Sequence, residues 1–453
     1  MEKKKERFDS RFGMLMAMAG SAVGLGNLWR FPFLAAGNGG GAFIFVYLVL
    51  LLTICLPVLM TEIMLGRKCR TNVTRVYDSL GAPRWRWAGF LTLLTPIVIM
   101  AFYTVVGGWS VKYLVKAVSF SYTSPTADYA GMFGSFISST WEPLACTLVF
   151  LLITAMANFG GVKNGIERFS KPMMSVLVIT IILVAVRSLT LPGAGEGIRF
   201  LLVPDFGKIN GQVLVTALGQ AFMSLSIGIG ILLTYGAYVK TREDIVMTAV
   251  STGLIDTLFA IIAGLAIIPA LYAIASMNGT EPDVNAGAGL VFITLPGVFA
   301  SMPGGGIIAI LFFMSLLLAA VTSAISMLEV VVAYFIGEWR MSRRAAVTVS
   351  MLVILILGCV CSLSQGCLSG ISLSGMNIFD FFDRISSDVM ITVGSLIMVI
   401  FAGWKMSDAD FTDELSSYGE SHVPHWMFTY VRFMIKWVAP PVIILIMISS
   451  WLL

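Results

Sequence analysis

Apolar runs long enough to cross a lipid bilayer recur from about residue 12 to about residue 452, and this repetition restricts the chain more than any other feature. A hydrocarbon core of about 30 Å takes roughly 20 apolar helical residues. Inside it every backbone N–H and C=O must find a partner within the protein, which leaves only helices or closed barrels. Runs of this length read as helices. Only 12% of the residues are charged and 58% are hydrophobic, with a mean hydropathy of +0.91, whereas a soluble domain carries about 25% charged residues. The chain is expected to be an all-α polytopic membrane protein with no large soluble domain.

Hydropathy places about eleven spans near 12–37, 42–66, 88–117, 143–158, 167–189, 213–238, 243–275, 304–337, 344–361, 382–404 and 430–452. The net charge of +4 is no sign of nucleic-acid binding, because the basic residues form short clusters between apolar runs: MEKKKER, GRKCR with RWR, KNGIERFSK, KTRED and EWRMSRR. Segments 119–142, 276–303 and 362–376 contain no Lys or Arg. By the positive-inside rule the N-terminal segment 1–11 is cytoplasmic, and an odd number of spans puts the C-terminus outside. The linker 405–429, which begins KMSDADFTDELSSYGESH, is then cytoplasmic and reads as a surface connection. MEKKKERFDSR leads into a span without a small-residue cleavage site, so the first span is expected to be retained.

Two spans carry glycine and small polar residues in their middles: the first, AGSAVGLGN, and the sixth, GQAFMSLSIGIG. They lie five spans apart, and a repeated unit of five spans must return upside down in the membrane. The expected plan is one repeat at 12–189, an outer loop at 190–212, an inverted second repeat at 213–404 and an extra helix at 430–453. Gly20, Gly24 and Gly26 in one break, and Gly228 and Gly230 in the other, ease the backbone out of the helix. Unwinding frees amides that suit a carboxylate and carbonyls that suit Na⁺ or an ammonium group. A zwitterionic amino acid accompanied by sodium matches both. A lone membrane glycine is more often a close-packing site; two matched breaks, with Asn27 and Arg30 in the same segment, favour a binding site.

SAVGLGNLWRFPF, followed by AAGNGGGAF and Tyr47, then LGQAFMSLSIGIG and AAVTSAIS, resembles the neurotransmitter:sodium symporters over nearly the whole chain. The span count and short N-terminus are similar to those of bacterial members, which implies a place in the bacterial cytoplasmic membrane. The resemblance implies a LeuT-like fold and sodium-coupled import of neutral hydrophobic L-amino acids by alternating access. It also implies two Na⁺ sites. The first would use Ala22, Asn27, Ser224 and Asp256, with a carboxylate oxygen of the substrate; the second would use Gly20, Val23, Ala319, Thr322 and Ser323. These are hard oxygen ligands, as Na⁺ requires.

By the same resemblance, the substrate carboxylate would rest on the amides of Gly24, Leu25 and Gly26 and on Tyr103, with carbonyls near Ala22, Phe222 and Ser226 for the ammonium. Ile99, Met223, Ile229, Ala324 and Met327 would line the side-chain pocket beside Ser224, and the two methionines suit several bulky apolar side chains. Gly24 stands where monoamine transporters of the family have an aspartate, leaving space for a substrate carboxylate. Asp256 stands where many animal members have asparagine and need chloride, which implies chloride-independent transport. Arg30 would close the outer side against Asp383, with Asp380 and Asp388 as rivals. Lys5 and Phe8 replace an arginine and a tryptophan of the inner latch, which is expected to be looser, with Glu338 as a partner. Pro172 with Gly160, Gly161 and Gly165 would let the start of the fifth span unwind.

Enzyme readings lack their chemistry. Both histidines, His422 and His425, sit in the last linker, and no H-E-x-x-H, G-x-S-x-G or G-x-x-x-x-G-K-[ST] occurs. A channel is the other rival, since broken helices also line ion filters. Oligomeric state leaves no mark on this sequence.

Overall fold

A computed structural model describes residues 6–122, 124, 127–280 and 290–452. Apart from one isolated bridge between Leu373 and Met376, their regular structure is helical. Among them nine helices are long and apolar enough to span a membrane: Gly41–Cys69, Pro83–Val118, Trp141–Phe159, Val162–Leu189, Ile245–Met277, Gly305–Glu338, Arg343–Leu363, Ile378–Trp404 and His425–Ser449. A tenth span is the pair Arg11–Ala22 and Gly26–Gly37, bent by 53°. The sixth is likewise divided, into Gly211–Ser224 and Ile231–Tyr238, each too short to cross alone. Counted as one, it brings the spans to eleven.

The helices exceed the hydropathy boundaries where polar ends continue the turn. The fifth starts at Val162 rather than near 167, through a π-helical turn, Val162–Glu167, entered from Gly161 at φ 76°. The segment 190–212 contains a helix, Ala194–Leu202, and the linker after the tenth span contains another, Asp408–Leu415. That linker is more than a surface connection. Arg67 at the end of the second span is buried, and a buried guanidinium must be paired; Glu414 of the linker helix lies 2.8 Å from its Nε. Thr241 and Glu243 lend backbone oxygens to the same guanidinium.

Against the third span the eighth packs along its length, and the first lies among the fifth, seventh and eighth. The two broken spans therefore meet in the protein interior. Residues 6–9, the linker helix and the basic residues Arg67, Lys163, Lys240 and Arg343 are joined at one face of the bundle by ion pairs and hydrogen bonds, and this face is termed the basic face below.

Candidate binding site at the two breaks

The first helix stops where Val23 turns to an extended conformation (φ −70°, ψ 98°), and helical structure resumes in a π-helical turn, Gly26–Arg30. Such turns recur at functional sites because they release carbonyls from the regular ladder. In the sixth span residues 225–230 leave the helix, with Gly228 at φ 81° and Gly230 at φ 86°, a region that glycine enters without steric cost. Ser226 enters it too, at φ 55°. Its hydroxyl donates to the Ser21 carbonyl at 3.0 Å and so joins the two breaks. Gln220 adds a longer bond, Nε2 to the Gly26 carbonyl, at 3.4 Å.

What holds the sixth break open is an acid that the sequence reading passed over. Glu62, the lone carboxylate in LPVLMTEIMLG, is buried and accepts the Gly228 N–H at 3.0 Å. An acidic side chain within an apolar run was the available signal.

At the first proposed ion position, Asn27 and Asp256 are fully buried. Asn27 Nδ2 donates to Asp256 Oδ1 at 2.7 Å and to Ser224 Oγ at 3.1 Å, while Ser224 Oγ donates to Asp256 Oδ2 at 2.7 Å. Tyr47 donates to the same Oδ2 at 3.4 Å. All these partners are neutral. A carboxylate withdrawn from water and surrounded by neutral dipoles is stabilised by a proton or by a counter-charge, and this set of oxygen atoms fits a small hard cation. Ala22 lines the adjoining cavity.

The second set also converges. Ser323 Oγ lies 3.4 Å from the Gly20 carbonyl, 3.3 Å from that of Ser21 and 3.4 Å from that of Val23. One hydroxyl hydrogen cannot satisfy three carbonyls. Their remaining lone pairs, with Thr322 Oγ1 bonded to the Ala319 carbonyl at 3.0 Å, make an electronegative recess that also fits Na⁺. Met174 of the fifth span packs against Gly20 beside Thr322.

Between the breaks lies a cavity of about 70 Å³. Eleven expected substrate residues line it: Ala22, Gly24, Leu25, Gly26, Ile99, Tyr103, Met223, Ser224, Ser226, Ile229 and Met327. Phe222 lines a neighbouring cavity instead, and Ala324 is fully buried in the eighth span. The structure adds Ser387 and Ile391 from the tenth span and Phe102 from the third. Those residues carry no motif; a π-helical turn, Ile385–Met390, brings Ser387 to the cavity. At the end of the cavity expected to take a carboxylate, the Leu25 N–H points at the Tyr103 hydroxyl, 3.5 Å away, and the Gly24 N–H donates to Asn27 Oδ1 at 3.0 Å.

Beyond Met223 and Ser387 a cavity of about 350 Å³ contains Arg30, Asp383 and Asp388. Arg30 donates to the Met223 sulfur. Among the described residues it forms no ion pair with Asp383, so the expected outer gate is not closed. Asp380 instead pairs with Asn377 at its helix start. On the basic face Glu338 bonds Arg75 at 2.7 Å. Phe8 is buried between Tyr235 and Tyr238, and Lys5 lies outside the described residues.

Two discontinuous helices meeting at the centre of a LeuT-like bundle, with converging oxygen atoms beside a central cavity, define a secondary transporter rather than an enzyme. The profile of the Sodium:neurotransmitter symporter family matches residues 5–135 and 132–452, and the chain belongs to that family. It is 36% identical to the uncharacterized sodium-dependent transporter YhdH of Bacillus subtilis over 99% of this chain and 98% of that one. Similarity extends to the sodium-dependent dopamine transporter of Bos taurus, 25% identical over 98% of this chain and 69% of the relative. Among solved structures it is similar to MhsT in complex with L-phenylalanine, with a TM-score of 0.88 and 37% identity over 99% of this chain and 100% of that one.

Proposed function

We propose that this protein imports neutral hydrophobic L-amino acids, such as tryptophan, leucine and phenylalanine, together with Na⁺ by alternating access. The observation that carries the reading is the buried Asp256 carboxylate, held by Asn27, Ser224 and Tyr47 and, among the described residues, without a cationic partner, directly beside the central cavity. One Na⁺ would bind among Ala22, Asn27, Ser224 and Asp256. A second would bind among Gly20, Val23, Ala319, Thr322 and Ser323. Support for an amino-acid substrate comes from the uncharged lining of the cavity and from the phenylalanine held by the similar MhsT structure.

In this scheme the basic face is cytoplasmic, as the positive-inside rule favours. Substrate and Na⁺ enter from the opposite side past Arg30 and Met223. Arg30 then closes toward Asp383, and the inner half of the first span swings to release them. Asp256 supplies the negative charge that chloride supplies in relatives with asparagine there, so transport is chloride-independent.

Uptake of labelled tryptophan and leucine into proteoliposomes tests this, with Na⁺ against K⁺ and chloride against gluconate outside. Saturable uptake that needs Na⁺ and ignores chloride is expected. For Asp256→Asn, uptake in gluconate should fall at least tenfold, with chloride restoring part of it. Unchanged uptake by this variant in gluconate refutes the assigned role of Asp256.

A further inference from the structure

The start of the first span is fastened to the fifth by a carboxylate that none of the site chemistry uses. Glu167 closes the π-helical turn Val162–Glu167, and its side chain is only 2% exposed. It accepts the Asp9 N–H at 2.7 Å, the Ser10 N–H at 3.2 Å and the Ser10 hydroxyl at 2.6 Å; Lys171, one turn on, balances its charge at 2.8 Å. Ser10 is the N-cap of the first helix and accepts the Gly13 N–H at 3.0 Å. Glu167 thus takes the N-cap N–H and hydroxyl and lies at the positive end of that helix.

Gly13 supplies an independent observation. A Cβ at this position would overlap the Glu167 side chain, and Gly13 sits mid-turn in a helix where glycine is otherwise unfavourable. The helix is notched where the carboxylate crosses it. At the other end of the same π-turn, Glu6 accepts the Val162 N–H at 3.0 Å and pairs with Arg343 at 2.9 Å.

We infer that Glu167 is the positioning residue that holds the inner half of the first span closed against the fifth, with the Gly13 notch as its seat. This rests on the alternating-access reading above. Swinging the first helix outward requires the Asp9, Ser10 and Glu167 contacts to part. The same fifth span carries Met174 against Gly20 beside Thr322, so losing the clasp also loosens that contact at the second ion recess.

The test is hydrogen–deuterium exchange of the purified full-length protein in Na⁺ and in K⁺, comparing wild type with Glu167→Gln, Gly13→Ala and the milder Ser10→Ala. Bonds to a charged acceptor are strong enough that exchange across residues 9–14 should rise about tenfold or more in Glu167→Gln. Gly13→Ala should match it, and Ser10→Ala should show a smaller rise. The Na⁺ concentration that protects residues 9–22 should increase severalfold, while the third and eighth spans keep their protection. Unchanged exchange at 9–14 overturns the proposal. So does an equal rise in every span, which would make Glu167 a general stabiliser. Because no substrate is present, a failed uptake assay and a failed clasp are separate results.

Discussion

Gly24 and Gly26 are two residues apart in the same break, yet their surroundings set opposite expectations. A Cβ on Gly24 would lie 2.6 Å from Ser323 Oγ and 3.3 Å from the Tyr103 hydroxyl, whereas one on Gly26 meets nothing within 4 Å. Gly24→Ala should therefore displace Ser323 from the carbonyls of the second ion recess and cut uptake of every substrate by more than tenfold. Gly26→Ala should leave Na⁺ dependence intact and reduce affinity for the bulkiest amino acids only, since its methyl group takes up cavity space. Competition of a panel of amino acids against labelled leucine separates the two. Gly24 and its neighbours were legible from the sequence because glycine, serine and asparagine inside an apolar run stand out. Ser387 and Ile391 were not, because a serine and an isoleucine in a membrane helix are ordinary until a neighbouring span places them at the cavity.

Among the elements, the linker helix Asp408–Leu415 departs most from a reading by composition. Its polar sequence suggests a surface strand of chain, but it closes over Arg67 with Glu414, both almost fully buried. Removing one partner of a buried ion pair costs about 3–5 kcal/mol. Glu414→Gln should accordingly lower the thermal midpoint by several degrees, and exchange should rise in residues 239–244, where the Thr241 and Glu243 carbonyls share the Arg67 guanidinium. The neighbouring Lys68–Asp410 pair, at 2.6 Å, is half exposed on its acidic side, and such pairs contribute about 0–1 kcal/mol. Asp410→Asn should shift the midpoint little at neutral pH. The hydrogen bond from Lys68, followed by that from Ser407, holds the Asp410 carboxyl below its ordinary value. Its contribution is therefore present above the unfolded carboxyl's pKa and is lost as pH falls through the depressed folded value. Thermal melts of wild type and Asp410→Asn should converge in acid.

At the scale of the whole molecule, the proposed cation sites would tie the halves of the bundle together. The first set joins the first, sixth and seventh spans, and the second joins the first and eighth. An ion that binds only the folded protein stabilises it by RT ln(1 + [L]/Kd), about 2.7 kcal/mol at a hundredfold excess over Kd. Na⁺ in place of K⁺ should raise the thermal midpoint, and the rise should grow with the logarithm of Na⁺ concentration. Asp256→Asn and Thr322→Ala should each remove part of it. Equal midpoints in the two salts across the whole range would leave the bundle without the proposed ion sites.

The sequence by itself determined the membrane setting, the succession of spans, the two breaks and the kind of ligand that freed amides and carbonyls can take. These are local properties: hydropathy is summed over consecutive residues, and a helix breaks where its own glycines allow. Only the tertiary structure decided which side chains satisfy the buried charges. Glu414 is 347 residues from Arg67, and Glu167 is 158 from Asp9. A buried charge in a medium without water requires a partner, but that requirement names no position along the chain. Packing of distant spans selects it, as it selected Glu62 for the sixth break and Arg343 for Glu6.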